Sequence, residues 1–192
     1  MSVNYYNQNA QAFFAATKDV DVSSLMARFT PNLPAQAHIL DAGCGSGRDS
    51  KAFLAMGFAV TSFDASHELA AVAANYIGQP VQVCTFSEFT HTQPFDGIWA
   101  CASLLHVPAS QLPHTFAHLA SLLKPQGLFY CSFKYGTHDE VRDGRAFTHC
   151  DEERLQRFIA HSGLVLRETW KTTDLRPGRE NEYWLNALLI KE

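Results

Sequence analysis

The chain has 192 residues, 46% of them hydrophobic and 18% charged, which fits one folded soluble domain and excludes an intrinsically disordered chain. A formal net charge of −4 offers no general attraction to nucleic acid or an anionic membrane, so a polymeric anion is disfavoured as a partner. No stretch reaches the roughly 18 apolar residues of a membrane span, the first residues lack a secretory signal, and five cysteines without Cys-x-x-Cys spacing read as free thiols. A cytoplasmic protein, without membrane contact and without a metal site, is expected.

Tyr6, Ala10, Phe13, Phe14 and Ala16 recur at helical spacing, so residues 4–17 are predicted as an amphipathic helix. A short helix over 23–29 follows, capped by Ser23 or Ser24, and Pro31 and Pro34 end it. Residues 1–34 thus form a helical cap ahead of the first strand, which ends at Ile39–Leu40. A helix over 48–56 is closed by Gly57. The second strand, 58–63, ends in Asp64, and Ser66 caps a helix over 69–76. A third short strand is expected over 81–84 and a fourth over 95–101. A helix opened by Pro108 and Ser110 is stopped by Pro125 and Gly127, and a fifth strand covers 128–133. His114 and His118 stand at i, i+4 without a third ligand and read as surface residues.

Residues 134–149 are polar and glycine-marked, a loop of a length that usually carries function. Asp151 caps a helix to 161, with Glu152 and Glu153 in the first turn. Strands over 164–170 and 183–190 have no helix between them, only the turn signal Pro177-Gly178, so they pair as an antiparallel hairpin. Strands one to five alternate with helices and should be parallel. The expected fold is α/β: a three-layer, doubly wound, seven-stranded sheet, mostly parallel with an antiparallel last strand, in one domain over 1–192.

The most informative stretch is Asp41-Ala-Gly-Cys-Gly-Ser-Gly47 followed by Arg48. A strand, a glycine turn and a helix start make a site for a nucleotide-like ligand, because bare backbone approaches the ligand and free amides face it. An ordinary glycine-rich turn is the plainer alternative. Asp64 stands about 20 residues further on, where an acid on strand two meets ribose hydroxyls; alone it reads equally as a turn acid. A dinucleotide site would have a third glycine where Arg48 stands, and a P-loop would need Gly-Lys-Ser/Thr. Arg48 suits a carboxylate, hence an amino-acid-bearing nucleoside.

Asp41–Gly47, Phe63-Asp64-Ala65, Phe95-Asp-Gly-Ile-Trp-Ala100, Leu104-Leu-His-Val107 and Leu123-Lys-Pro-Gln-Gly-Leu-Phe129, in that order, resemble the class I S-adenosylmethionine-dependent methyltransferases. The turn Gly45-Ser-Gly-Arg-Asp-Ser50 is also similar to that of small-molecule enzymes of the tellurite-resistance type. The resemblance runs from about 39 to 133 and to the closing hairpin. It implies S-adenosyl-L-methionine as cofactor, with S-adenosyl-L-homocysteine as product. Gly43, Cys44, Gly45 and Gly47 would line its methionine part, with Asp41 ordering the turn. Asp64 would hold the ribose, Ala65 would pack on the adenine, and Phe86 and Ser87 would reach the adenine edge. Ala100 and Cys101 would offer carbonyls to the methionine amine, and Tyr5 or Tyr6 would fold over the cofactor.

Methyl transfer from a sulfonium is an in-line displacement that needs alignment and exclusion of water, and a base only when the acceptor must lose a proton. His106, after strand four, is the candidate base; the plainer reading is a histidine that shapes the pocket. Tyr135, Arg142 and Arg145 in the loop 134–149 are candidate substrate residues, since arginines suit a carboxylate or phosphate. A solvated loop is the alternative. The expected function is methylation of a small molecule by a monomer or homodimer. The rivals are a methyltransferase acting on RNA or protein, and a cofactor-binding regulatory partner without turnover.

Overall fold

The computed structural model describes residues 2–174, 179 and 181–192. Helices α1 (Ser2–Gln8), α2 (Ala10–Thr17) and α3 (Ser23–Phe29) precede β1 (His38–Ala42), α4 (Arg48–Ala55), β2 (Ala59–Asp64), α5 (His67–Ile77) and β3 (Gln82–Val83). Then come β4 (Phe95–Ala100), α6 (Leu112–Ser121), β5 (Leu123–Lys134), β6 (Asp139–Arg142), β7 (Arg145–Thr148), α7 (Glu152–Ile159), β8 (Leu164–Thr173) and β9 (Tyr183–Lys191). Seven strands form one sheet in the order β3-β2-β1-β4-β5-β9-β8, with β9 antiparallel to both neighbours.

Successive strand residues point to opposite faces, and the central strands are apolar on both. Ile39 and Leu40 of β1 enter different cores, as do Trp99 and Ile98 of β4, Tyr130 and Phe129 of β5, and Leu188 and Leu189 of β9. Helices α6 and α7 cover one face through Phe116, Leu119, Leu155 and Phe158. Helices α3 and α4 cover the other through Met26, Phe29 and Phe53. Phe53 is fully buried, with its ring 5.3 Å from Trp99 and 6.0 Å from Phe29; emptying such a site costs about 3–5 kcal/mol. A Cβ on Gly97 would stand 2.6 Å from Phe29 Cζ, so only glycine lets α3 close over β4.

Sheet order reverses between β1 and β4, whose connections leave in opposite directions. That switch point opens a crevice at their carboxyl ends.

Several boundaries differ from expectation for local reasons. The single helix over 4–17 is two, since Asn9 breaks it and turns its side-chain amide onto the Tyr5 carbonyl at 2.8 Å. Strand three keeps only two residues, both exposed at the sheet edge. The loop 134–149 contains the hairpin β6–β7, closed by Asp143-Gly144 with φ of 52° and 74°. Asp-Gly at paired positive φ is a favoured two-residue turn, a signal present in the sequence. His118 is half-buried and holds the Phe89 carbonyl at 2.9 Å instead of standing free on the surface. The Pro177-Gly178 turn lies outside the described residues. Among the described residues no helix is long and apolar enough to cross a membrane.

Candidate active site

Strand β1 runs out at Ala42 and the chain turns through Gly43, at a φ of 78° that side chains resist. A Cβ there would stand 2.7 Å from Ser103 Cβ, so bare backbone is also what lets the segments after β1 and β4 meet. The amides of Gly43 and Cys44 both donate to the Phe63 carbonyl, at 3.0 and 2.9 Å, which ties the turn to β2. Beneath the turn Asp41 is buried; Ser50 Oγ donates to its Oδ2 at 2.5 Å and contacts Ser62 Oγ at 2.8 Å. Burial, then the charge of Asp49, pushes the Asp41 carboxyl up to about 8, so the neutral acid dominates at pH 7. Asp49 itself is gripped by Arg48 Nε at 2.5 Å and by Trp99 Nε1 at 2.7 Å.

Two adjoining cavities of about 1060 and 590 Å³, counted out to their open mouths, meet at Tyr6, Phe13, Gly43, Gly45, Ala102 and His106. They are one cleft with two wings. Phe63, Ala65, Leu69 and Phe86 make the smaller wing largely apolar, and Asp64 is its one carboxylate. That carboxylate accepts from the Gly45 amide at 2.8 Å and the Ser66 amide at 2.9 Å, while burial raises its pKa against the pull of these bonds.

The larger wing is the more polar of the two. Arg48, Asp49, Ser132, Arg145, Asp174 and Asn186 line it together with Phe147 and Trp184. Trp184 Nε1 donates to Asp174 Oδ2 at 3.2 Å, and Asn186 Oδ1 accepts from Tyr130 Oη at 2.8 Å. The Arg145 guanidinium lies over the rings of Tyr5 and Phe147, at 4.2 and 5.2 Å, and its buried Nε has no hydrogen-bond partner among the described residues. A partly desolvated cation facing a cavity is a site for an anion.

Between the wings stand Tyr6 and His106. A carbonyl can only accept, so the 2.8 Å contact with the Ala146 oxygen fixes the hydrogen on His106 Nδ1. Nε2 is then the lone pair that accepts from Tyr6 Oη at 2.8 Å. Burial pushes His106 down to about 4, with the Ala146 bond opposing and the Arg145 charge assisting, so the ring is neutral near pH 7. Helix α1 roofs the junction. Ser2 Oγ accepts from the Ala146 amide at 3.1 Å on one wall, and Asn7 Oδ1 accepts from Ser66 Oγ at 2.7 Å on the other.

Of the residues singled out from the sequence, Tyr6, Asp41, Gly43, Cys44, Gly45, Arg48, Asp64, Ala65, Phe86, Cys101, His106 and Arg145 line this cleft. Five point elsewhere. Gly47 packs α4 on α5, where a Cβ would meet Ile77 Cγ2 at 2.9 Å. Ser87 is exposed and bonds Thr85 Oγ1 at 3.2 Å. Ala100 is enclosed in β4. Tyr135 donates to Glu152 at 3.1 Å under the Lys171 ammonium, and Arg142 lies over Phe147 and reaches Glu182. Arg142 and Arg145 are paired across the hairpin and share the ring of Phe147, but Arg145, on the strand that carries Ala146 to His106, is the one that lines the cleft. Sequence reasoning missed Phe13, Ser132, Thr172, Asp174 and Asn186, as well as Trp184, which is half-buried on the cleft wall. Strand β9 is antiparallel, so its first residues, Trp184 to Asn186, lie beside Lys134 to Ser132 at the carboxyl end of β5.

Known proteins match this geometry. Over 96 residues, or 47% of this chain and 38% of its own length, the ubiquinone biosynthesis O-methyltransferase of Paramagnetospirillum magneticum is 35% identical. The chain thus spans well under half the length of this curated relative. Among solved structures, an S-adenosylmethionine-dependent methyltransferase from Methanosarcina mazei superposes with a TM-score of 0.75 at 18% identity, covering 85% of this chain and 96% of that one. The Burkholderia thailandensis 1,6-didemethyltoxoflavin-N1-methyltransferase does so with a TM-score of 0.75 at 23% identity, covering 98% of this chain and 84% of that one. At these identities the structures establish a shared fold. The family model described as a methyltransferase domain matches residues 14–187, from the roof helices to β9, and with that span the chain belongs to the methyltransferase-domain family.

Proposed function

We propose that the chain is an S-adenosylmethionine-dependent methyltransferase acting on a small-molecule acceptor. The observation that carries this reading is the division of one cleft, by Tyr6 and His106, into an apolar wing whose one carboxylate is Asp64 and a more polar wing that Arg145 faces. The residues present fit the cofactor. Gly43 and Gly45 bring bare backbone to the stretch of wall that both wings share, and Asp64 offers lone pairs in a pocket walled by Phe63, Leu69 and Phe86.

When bound, S-adenosylmethionine supplies a methyl group on positively charged sulfur, activated for in-line displacement. Asp64 accepts from the ribose hydroxyls with the lone pairs left by Gly45 and Ser66. Phe63, Leu69 and Phe86 enclose the base, and Tyr6 with α1 excludes water above the junction. Arg145 holds a carboxylate or phosphate of the acceptor by charge-assisted bonds, with Phe147 and Trp184 flanking it. His106 keeps its hydrogen at Nδ1 and takes the acceptor's proton at Nε2, the lone pair that it frees by giving up its bond from Tyr6 Oη. A base this weak suits an acceptor that becomes strongly acidic as its new bond to methyl forms.

The roof formed by α1 favours a small acceptor over a polymer, since it joins both walls directly above the junction. The five free cysteines suit a reducing, cytoplasmic compartment. Calorimetry with S-adenosylhomocysteine tests the donor half, and tritiated methyl transfer into fractionated metabolite pools tests turnover. Absence of binding removes the reading. Tight binding without transfer into any pool converts it into that of a regulatory partner.

A further inference from the structure

The hairpin β6–β7 builds a second cluster of chemistry-bearing side chains outside the cleft. Its register pairs Asp139 with Thr148, so the next pair outward is His138 with His149, joined by the His149 amide to the His138 carbonyl at 3.0 Å. Residues directly opposite share a face, and Glu140, two along from His138, shares it too. One nitrogen of each imidazole and one Glu140 oxygen lie within 4.8 Å of one another.

His149 supplies an independent pointer to a ligand. It is 8% exposed, its Nε2 is 3.1 Å from Glu140 Oε1, and its buried Nδ1 has no partner among the described residues. The carboxylate accepts, so Nε2 carries the hydrogen and Nδ1 is an unused lone pair. A histidine whose second nitrogen is held by a carboxylate is the common arrangement of a metal ligand. Both Nδ1 atoms border Gly136, where a Cβ would stand 3.2 Å from that of His149 and 3.4 Å from that of His138. The rings lie 4.1 Å apart and tilted by 31°, and His138 is exposed and free to turn its edge inward. Arg154 is answered by Asp139 at 2.8 Å and by the carbonyls of His138 and His149, and Arg142 and Lys134, whose charges reach Glu140, are answered by Glu182.

We propose that His138 and His149 bind, through their Nδ1 atoms, one divalent cation of the zinc class, which clamps the base of the hairpin, while Glu140 orients His149 from its other nitrogen. Two imidazole ligands favour such a borderline ion over magnesium or calcium, which prefer oxygen throughout. The hairpin presents Arg145 and Phe147 to the cleft and the Ala146 carbonyl to His106, so the clamp steadies one wall of the polar wing.

The test is calorimetric titration of ZnCl₂ into protein free of a histidine tag, with Co²⁺ absorption as a second readout of nitrogen ligation. One equivalent should bind. His138→Ala and Glu140→Gln, both changes at accessible positions, should each weaken binding by about 10-fold or more. Circular dichroism and S-adenosylhomocysteine affinity without added metal should stay as in wild type. No uptake overturns the proposal. So does uptake that both variants leave unchanged, which would assign the ion to thiols elsewhere.

Discussion

On the Asp64 side of the cleft the wall is made by the ends of neighbouring strands β1 and β2 and their turns, so Gly43, Gly45, Phe63, Asp64 and Ala65 come from two short stretches of chain. On the Arg145 side, Ser132, Arg145, Thr172, Trp184 and Asn186 come from β5, β7, β8 and β9, elements remote in sequence. The first wall relies on backbone amides and bare glycine. The second relies on long side chains hung on a hairpin. A wall of the first kind suits a ligand that never changes, and one of the second kind can be respecified by substituting side chains without disturbing the turn.

If that division is real, variants on one side leave the other side's ligand alone. The largest effect is expected for Asp64→Ala. A hydrogen bond to a charged group is worth about 1.5–3 kcal/mol, and two ribose hydroxyls would converge here on the proposed reading, so affinity for S-adenosylhomocysteine should fall on the order of 100-fold. Unchanged affinity in calorimetry would end the assignment of this wing to the donor. Next comes Arg145→Ala, for which KM of the acceptor should rise roughly 10-fold while cofactor affinity stays near wild type. Arg145→Lys should recover only part of the loss, because an ammonium lacks the planar fork. A matched fall in cofactor affinity would show that the wings are not independent.

Asp41 tests the donor wall in a different currency, stability against pH. Its folded value of about 8 lies above the ordinary 3.8, so the folded state keeps a proton that the unfolded chain releases in between. Stability from this group therefore declines as pH rises from about 4 to 8. Asp41→Asn mimics the protonated acid and should match wild type near pH 4. Between there and pH 8 its lead should widen by on the order of 1 kcal/mol per pH unit, since one pKa unit is about 1.4 kcal/mol. Parallel denaturation curves for the two proteins at both pH values would refute the elevated value.

The donor wall was readable because its determinants are local. Alternating glycines after a strand, an acid at the end of the next strand and a capped helix each have a signature within a few residues, and the alternation of strands and helices orders them. The acceptor wall was not, because register makes it. The missing helix before the last strand announced an antiparallel direction, but nothing near Trp184 announces the register that brings that indole to the carboxyl end of β5. Asp143-Gly144 did carry a hairpin signal. Reading 134–149 as an open loop hid which arginine turns inward, and it separated His138 from His149 although the register makes them neighbours.

The smallest effect belongs at the junction, where the two walls meet at Tyr6 and His106. Tyr6→Phe removes one neutral hydrogen bond, worth about 0.5–1.5 kcal/mol, so turnover should fall only ~3- to 10-fold, with the ring still roofing the cleft. The sharper readout is the pH profile. A base must be unprotonated, and burial holds His106 near 4, so kcat/KM should stay level from pH 8 down to about 5 and fall only below that. A histidine open to water would instead bring the fall near 6.5. His106→Ala should abolish the acid limb at low pH if Nε2 takes the proton. If the limb persists unchanged in that variant, His106 shapes the cleft and positions Tyr6, and the chemistry needs only the alignment that the two walls impose.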